Sequence, residues 1–230
     1  MKDSNLSGQQ MGAKGQLTRR RLLDVTRELL SSTALRDLRA VDIARRAKTS
    51  KATFYLYFEN VEATALVLAE EAVQDAGPLI RAVEADWSES PKRGAEAFVR
   101  AYFDYYDRHR AVLRVQNLAV GEGDKAFAEV RYRLSTPLHI ALSEKINRAQ
   151  RPGPRDEAED TITLAAVLIG GMERNAEGYP NYPPKFGVTR ERLINSSVSV
   201  ILAVLSPAGG ASATGVEGRS GRKTPATAAP

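Results

Sequence analysis

From Leu17 onward, apolar residues recur at helical spacing: Leu22, Leu23, Thr26, Leu29 and Leu30 fall at i, i+1, i+4, i+7 and i+8, one face of an α-helix. A second stripe, Ala40, Ile43, Ala44 and Ala47, predicts a short helix from Ala40 to Ala47. A third helix is predicted from Lys51 to Phe58, with Ser50 as its N-cap, leaving only Lys48 and Thr49 to turn between the two. Two short helices joined this tightly form the helix-turn-helix pattern. Beyond Asn60 the pattern stays helical over Val61 to Ala85, Pro91 to Arg108, Arg110 to Val120, Lys125 to Gln150, Glu157 to Glu177 and Thr189 to Leu205. Pro91 suits a first helical turn, whereas Pro137 inside a long segment is expected to kink or split it. Gly/Pro clusters at Arg151 to Pro154 and Gly178 to Gly187 punctuate the helices, and strand-like alternation is scarce.

The ends of the chain break this pattern. Residues 1–15 are polar and Gly-rich, and residues from 207 onward are dominated by Ala, Gly, Ser, Thr and Pro. Neither buries enough apolar surface to offset the entropy of ordering, so both are expected to be disordered. Between them the composition, 43% hydrophobic and 27% charged, is that of an ordinary globular protein. The longest apolar runs, around Thr163 to Met172 and Val198 to Leu205, are too short to span a bilayer, and no signal-like apolar segment opens the chain. With no cysteine and only two histidines, a thiolate or histidine-rich metal site is not expected, and a reducing cytoplasm is the expected location.

Charge changes the picture because of where it lies. Residues 1–60 carry 12 Lys/Arg against 6 Asp/Glu, while residues 61–230 carry 21 against 22, so the net charge of +5 belongs to the first quarter of the chain. Such a local excess is a footprint for polyanions, although a basic arm that is merely solvated has the same composition. Arg19, Arg20 and Arg21 lie near the start of the first helix, where cations oppose the helix dipole and so favour a partner over helix stability.

The third helix carries four of the chain's 15 aromatics, Phe54, Tyr55, Tyr57 and Phe58. Phe54 and Phe58 are i,i+4 partners and are expected in the core against the Leu22/Leu30 face and Ile43. Ser50, Lys51, Ala52, Thr53 and Tyr57 are then expected outward, with Tyr55 at the edge of the buried face. Hydroxyls and an ammonium group suit phosphate oxygens, and Ala52 leaves room for close approach to a base edge.

On these residues, 17–66 resemble the DNA-binding domain of the TetR family of bacterial transcriptional regulators. The signature stands here as Ile43-Ala44, the Ala47-Lys48-Thr49 turn, and Ser50-Lys51-Ala52-Thr53-Phe54-Tyr55-Leu56-Tyr57-Phe58. Lys51 to Phe58 and Met172-Glu173-Arg174 also resemble, over fewer residues, the subgroup of the mycobacterial ethionamide-resistance repressor. The family resemblance implies that Ser50, Thr53 and Tyr55 bind phosphates and that Lys51, Ala52 and Tyr57 face the groove. Three positions depart from the family. Lys48 replaces the usual turn glycine, so the turn must tolerate a side chain or adopt a less positive φ. Arg39 stands where a Thr often opens the second helix, and is a phosphate ligand candidate itself. Val61 replaces a phosphate-binding Lys, which removes that contact.

The remaining helices are read as effector-binding and dimerisation elements. Operators are commonly read by two-fold dimers, and the last two predicted helices offer Leu164, Leu168 and Met172 on one and Leu193, Ser197, Val200, Ile201 and Val204 on the other. Small residues at Ala166, Gly170, Gly171 and Ser196 permit close packing, though both helices also read as internal core. Trp87, Phe98, Tyr102, Phe103, Tyr106, Gln116 and Asn117, with Met172 and Asn175, are candidates to line a small-molecule pocket; an aromatic stripe also reads as plain core. The resemblance favours the pocket.

Catalysis is not expected. The chain shows no phosphate-cradling loop and no Ser nucleophile elbow, and Gly121 to Asp124 lacks the length and Lys of a P-loop. His139 reads as a packed or surface histidine. Membrane binding through residues 14–30 is disfavoured because their apolar face is needed to hold Phe54 and Phe58. The expected fold is all-α: a disordered arm (1–15), a three-helix helix-turn-helix DNA-binding domain (16–60), a helical effector-binding and dimerisation domain (61–206), and a disordered tail (207–230). The expected function is a transcriptional regulator without cofactor or metal, partnered by a double-stranded DNA operator, its own second copy and a small-molecule effector. A repressor released by an apolar or amphipathic ligand is the leading form. The alternatives are an activator of the same fold and a basic helical small-molecule-binding protein without specific DNA readout.

Overall fold

Side-chain oxygens start the helices where the sequence supplies them. Ser50, Asn60, Ser90 and Thr189 accept hydrogen bonds from the backbone N–H groups of Thr53, Ala63, Arg93 and Arg192, each three residues on. Asp124 does the same for Ala126 and Phe127. A computed structural model of the chain describes residue 6, residues 8–149 and residues 161–206. The helices are α1 (Ala13–Leu30), α2 (Ala40–Arg46), α3 (Lys51–Tyr57), α4 (Val61–Gln74), α5 (Gly77–Glu84), α6 (Pro91–Gly121), α7 (Lys125–Ala149), α8 (Thr161–Gly178) and α9 (Arg190–Leu205). Short 3-10 turns cover Leu35–Asp37, Tyr179–Asn181 and Pro184–Phe186, and no β-strand occurs among the described residues. The disorder expected of the tail and of residues 1–5 and 7 lies outside the described residues, as do the Arg151 to Pro154 punctuation and the helix start expected at Glu157.

Four expectations about the helices need correction. The first helix begins at Ala13, before the apolar periodicity does, so residues 13–15 are helical. The segment Val61 to Ala85 is two helices, because Gly77-Pro78 opens a new one where proline's missing N–H costs nothing. Pro91 to Val120, expected as two segments, is instead part of one 31-residue helix of about 46 Å. Its centre is held by burial, His109 being only 6% exposed. Helix α7 runs unbroken through Pro137.

Two cores hold the molecule. The first gathers Leu22, Leu30, Ile43, Phe54, Phe58 and Leu68 from α1–α4, and also takes Val112 and Val115 from α6 and Phe127 and Val130 from α7. The second packs α5, the first part of α6, the later part of α7, α8 and α9 around Phe98, Phe103, Leu142, Ile169 and Ile201. Helix α6 therefore belongs to both. Polar ties reinforce the join: Arg20 and Arg27 of α1 meet Glu71 of α4, and Arg114 of α6 donates to the Leu30 carbonyl at the end of α1 at 2.7 Å. Trp87 lies on Gly94, where an added Cβ would stand 2.3 Å from the indole, so only glycine fits beneath the ring.

Candidate nucleic-acid interface and ligand cleft

The α2–α3 connection is built around a strained lysine. Lys48 has φ +54°, the one positive φ among the described non-glycine residues. Its N–H donates to the Arg45 carbonyl at 3.1 Å, and the Thr49 N–H reaches the Ala44 carbonyl at 2.9 Å. These two bonds close the end of α2 in a Schellman arrangement that favours glycine at this position. Of the two ways the turn had to accommodate Lys48, the structure takes the first, a side chain carried in the left-handed region at about 1 kcal/mol. The side chain is exposed.

Helix α3 is anchored by Phe54, fully buried, and by Phe58 at its C-cap, with the ring of Phe58 under the Arg19 guanidinium at 5.1 Å. Burial holds the Arg19 pKa below the ordinary arginine value. Ser50, Lys51, Ala52 and Tyr55 face solvent and Thr53 is half-buried. The Ser50 and Thr53 hydroxyls lie 2.8 Å apart, so one hydrogen is used between them and the other is left to donate outward. Arg39, Lys51 and Tyr55 line one open depression between α2 and α3, together with Asn60 and Val61.

The two tyrosines exchange the places expected of them. Tyr55 is 44% exposed, while Tyr57 is half-buried, packed against the first core with its hydroxyl next to Gly15 of α1. At 3.6 residues per turn, position 57 lies about 60° around the helix from Phe54 and position 55 about 100°. The outward role assigned to Tyr57 is therefore corrected; Tyr55 is the exposed hydroxyl. Leu56, 46% exposed and unremarked in the sequence, shares the solvent side.

Ion pairing sorts the cations. Arg39 and Arg45 share Asp42, Arg46 meets Glu28, Arg36 meets Asp37, and Arg20 and Arg27 meet Asp24 and Glu71. Lys14, Arg21, Lys48 and Lys51 form no ion pair among the described residues. Lys48 and Lys51 flank Ser50, so two unneutralised ammonium groups stand beside the exposed hydroxyls. Arg39 presents its guanidinium already paired, at 3.0 Å from Asp42.

The second site is a cleft of about 360 Å³ between α6, α7 and α8. Its apolar lining includes Leu113, Leu134, Leu138 and Ile169, and its polar lining Tyr102, Tyr106, Gln116, Arg131, His139 and Glu173. Arg131 donates to Glu173 at 2.7 Å and to the Asn117 side-chain oxygen at 3.3 Å, while Asn117 donates to the Tyr106 hydroxyl at 3.4 Å. This chain of contacts ties α6, α7 and α8 along one wall. Burial pushes the phenol pKa values of Tyr102, Tyr105 and Tyr106 well up, so their hydroxyls remain donors. Arg131 follows Val130, a member of the first core, so the wall of the cleft is continuous with the packing that seats α3.

Of the residues expected to bind ligand, Tyr102, Tyr106 and Gln116 line this cleft and Asn117 braces it. Phe98, Phe103 and Met172 are corrected to core residues, at 0%, 0% and 3% exposure. Asn175 is half-buried on α8 outside the cleft. Trp87, 4% exposed, borders a different groove with Lys145, Arg148 and Leu205. Residues 150–160 and 207–230, which continue from the helices of that groove, lie outside the described residues. Sequence reasoning does not single out Arg131 or Glu173 as ligand-binding, because an Arg and a Glu stand on most of these helices and nothing local marks the two that meet.

The proposed dimer face also shifts. Met172, Ser197 and Ile201 are corrected to the interior of the chain's own second core, and Leu164, Leu168, Leu193 and Val204 pack partly against it. Val200 is 52% exposed, as is Val167 at 67%, amid exposed Ala166, Gly170, Gly171, Ser196 and Ala203. The outward side of α8 and α9 is thus marked by Val167 and Val200, next in sequence or nearly so to the buried Ile169 and Ile201. No helix among the described residues is long and apolar enough to cross a membrane.

Residues 22–65 match the bacterial regulatory proteins of the tetR family, and residues 82–182 match the tetracyclin repressor-like C-terminal domain. The HTH-type transcriptional regulator EthR of Mycobacterium tuberculosis is 26% identical over 99 residues, covering 43% of this chain and 46% of EthR. The chain thus spans about half the length of the curated relatives it matches. A tetR-family transcriptional regulator from Streptomyces coelicolor has a similar fold (TM-score 0.65, 15% identity, 84% of this chain and 82% of that one). So does the transcriptional regulator FadR from Bacillus subtilis, solved in complex with stearoyl-CoA (TM-score 0.58, 18% identity, 81% and 97%). With its helix-turn-helix unit and its C-terminal helices both matched, the chain belongs to the TetR family of bacterial regulatory proteins.

Proposed function

We propose that this protein is a sequence-specific DNA-binding transcriptional regulator, a repressor that a small apolar or amphipathic ligand releases from its operator. The observation that carries the reading is the division of α3 into two faces. Phe54 and Phe58 fix it in the first core, while Ser50, Lys51, Ala52, Thr53 and Tyr55 remain available on one side. Lys48 and Lys51 add charge that no acid of the unit neutralises. Phosphate contacts from the hydroxyls and ammonium groups position the helix, and Ala52 permits close approach to base edges.

Two copies joined through the exposed Val167/Val200 face of α8 and α9 present two such helices, as a two-fold operator requires. The cleft between α6, α7 and α8 holds the effector. Ligand binding in the FadR relative from Bacillus subtilis supports this part of the reading. Coupling follows from linkage: a ligand that favours a conformation with misplaced recognition helices weakens DNA binding by the same factor. Val130 and Arg131, adjacent on α7, provide the route, one in the first core, which also holds Phe54 of α3, and the other in the cleft wall.

The test is an electrophoretic mobility shift with DNA from upstream of the protein's own gene, titrated with salt and with unrelated competitor. A specific complex that survives excess competitor is expected. Binding that depends on salt but not on sequence would replace this reading with that of a basic small-molecule-binding protein.

A further inference from the structure

We propose that the cleft between α6, α7 and α8 selects an amphiphile with an anionic head, which takes the place of Glu173 on the Arg131 guanidinium while the apolar tail lies along Leu113, Leu134, Leu138 and Ile169. This rests on the reading of the cleft as the effector site and names the chemistry that the site accepts.

The two members of the ion pair are not equally held. Arg131 is anchored twice, by Glu173 at 2.7 Å and by the Asn117 oxygen at 3.3 Å, and Asn117 is in turn braced on Tyr106. Among the described residues, Glu173 has Arg131 as its one hydrogen-bonding or ion-pair partner. The pair is only partly buried, with side-chain exposures of 36% and 21%, so a released Glu173 carboxylate regains water. An incoming anion keeps the guanidinium neutralised and preserves the Asn117 contact, a one-for-one exchange of charge-assisted hydrogen bonds. A cationic head must instead expel Arg131, which strands the Asn117 oxygen and breaks the tie between α6 and α7.

The rest of the polar lining agrees. Tyr102, Tyr106, Ser135 and Gln116 all supply donors. Apart from Glu173, no carboxylate lines the cleft. At about 360 Å³ the space is at the lower end of the range for small-molecule sites and has room for a medium-length chain. A carboxylate and a phosphate ester share the head-group chemistry, and the two are separated by experiment.

The experiment is calorimetric titration of the full chain with decanoate, decyl phosphate, decanol and decylamine, each below its aggregation limit. At least one anion is expected to bind about tenfold more tightly than decanol, and decylamine more weakly. Comparison of decanoate with decyl phosphate identifies which head the cleft prefers. Arg131→Gln is expected to abolish the anion-to-alcohol preference, and Glu173→Gln to strengthen anion binding relative to decanol by removing the internal competitor. The ratio of anion to alcohol affinity guards against a merely structural effect, which would weaken both ligands alike. Equal binding of decanol and the anions, preference for decylamine, retention of the preference in Arg131→Gln, or binding of none of the four overturns the proposal. None of these outcomes depends on DNA, so the mobility-shift result stands or falls separately.

Discussion

The N-terminal unit and the cleft arrange their polar groups in opposite senses. Around α1–α3 the core is closed and apolar, and the hydroxyls of Ser50 and Tyr55 and the ammonium of Lys51 stand outside it. Between α6, α7 and α8 the polar groups face inward, with Arg131, Glu173, Tyr106 and Gln116 sharing a wall with Leu113 and Ile169. A group on the outside of a finished core can be removed without loosening what lies beneath it. A group inside a cleft is contact and packing at once. Function and stability are therefore separable in the first region and entangled in the second.

The hardest strike against that contrast is Phe54→Ala. Phe54 is fully buried, so its truncation is expected to cost about 3–5 kcal/mol and to abolish DNA binding together with the thermal stability of the unit. Lys51→Ala is the companion. Thermal unfolding should stay within about 0.5 kcal/mol, while the slope of log affinity against log salt falls by about 0.9. If Lys51→Ala destabilised the fold comparably to Phe54→Ala, the outer face would not be separable from the core. On the cleft side, Arg131→Ala leaves Glu173 without its partner and is expected to cost about 1–2 kcal/mol, limited by the solvent that already reaches the pair. Denaturant unfolding measures it, and an unchanged midpoint would show that the ion pair adds no stability to the wall.

The same contrast explains what was legible beforehand. Helix α3 announces itself within eleven consecutive residues, because cap, aromatics and hydroxyls act through one local geometry. Even there, the structure exposes Tyr55 and half-buries Tyr57, the reverse of what the pattern suggests, since the difference between about 60° and 100° around a short helix decides exposure. The cleft wall is made by Asn117, Arg131 and Glu173 on three helices, and no local pattern encodes that meeting. Aromatic periodicity instead pointed to Phe98 and Phe103, which periodicity equally permits as core and which are core. For α8 and α9 the sequence shows which residues are apolar, but a helix with apolar residues on two sides does not reveal which side its own chain covers. Burial of Ile201 and exposure of Val200, neighbours in sequence, settle that only in three dimensions.

A smaller effect sharpens the separation by moving stability and function in opposite directions. Lys48 holds a left-handed conformation that costs a side chain about 1 kcal/mol, while glycine adopts it freely. Lys48→Gly is expected to raise stability by at most about 0.5 kcal/mol, the relief of strain being offset in part by the greater freedom of glycine in the unfolded chain. The same change removes one unpaired cation beside α3, so the salt slope of operator binding should fall by about 0.9. A variant more stable in thermal unfolding and weaker on DNA would show that the turn keeps its strain for the sake of its charge. Loss of stability would mean that the Lys48 side chain packs favourably enough to outweigh its backbone.

The smallest expected effect lies where the two regions meet. His109 of α6 is 6% exposed and faces Asp75, at the end of α4, with 3.5 Å between Nε2 and the carboxylate. Its ring lies 4.9 Å from that of Tyr105. Burial holds the imidazole pKa below its ordinary value, against the opposing pull of the Asp75 charge. The unfolded chain takes up a proton near the ordinary value of 6.5, and the folded chain does so only at lower pH. Stability from this group is therefore complete above that value and declines as pH falls toward the folded pKa. His109→Gln removes the titration, so the loss of melting temperature on acidification from about pH 7.5 to 5.5 should be larger for the parent protein than for the variant. Taking the difference between the two proteins cancels the titrating groups that His109 does not touch. An equal loss in both would mean that water reaches the imidazole in solution, and that the seam between α4 and α6 is looser than the two cores on either side of it.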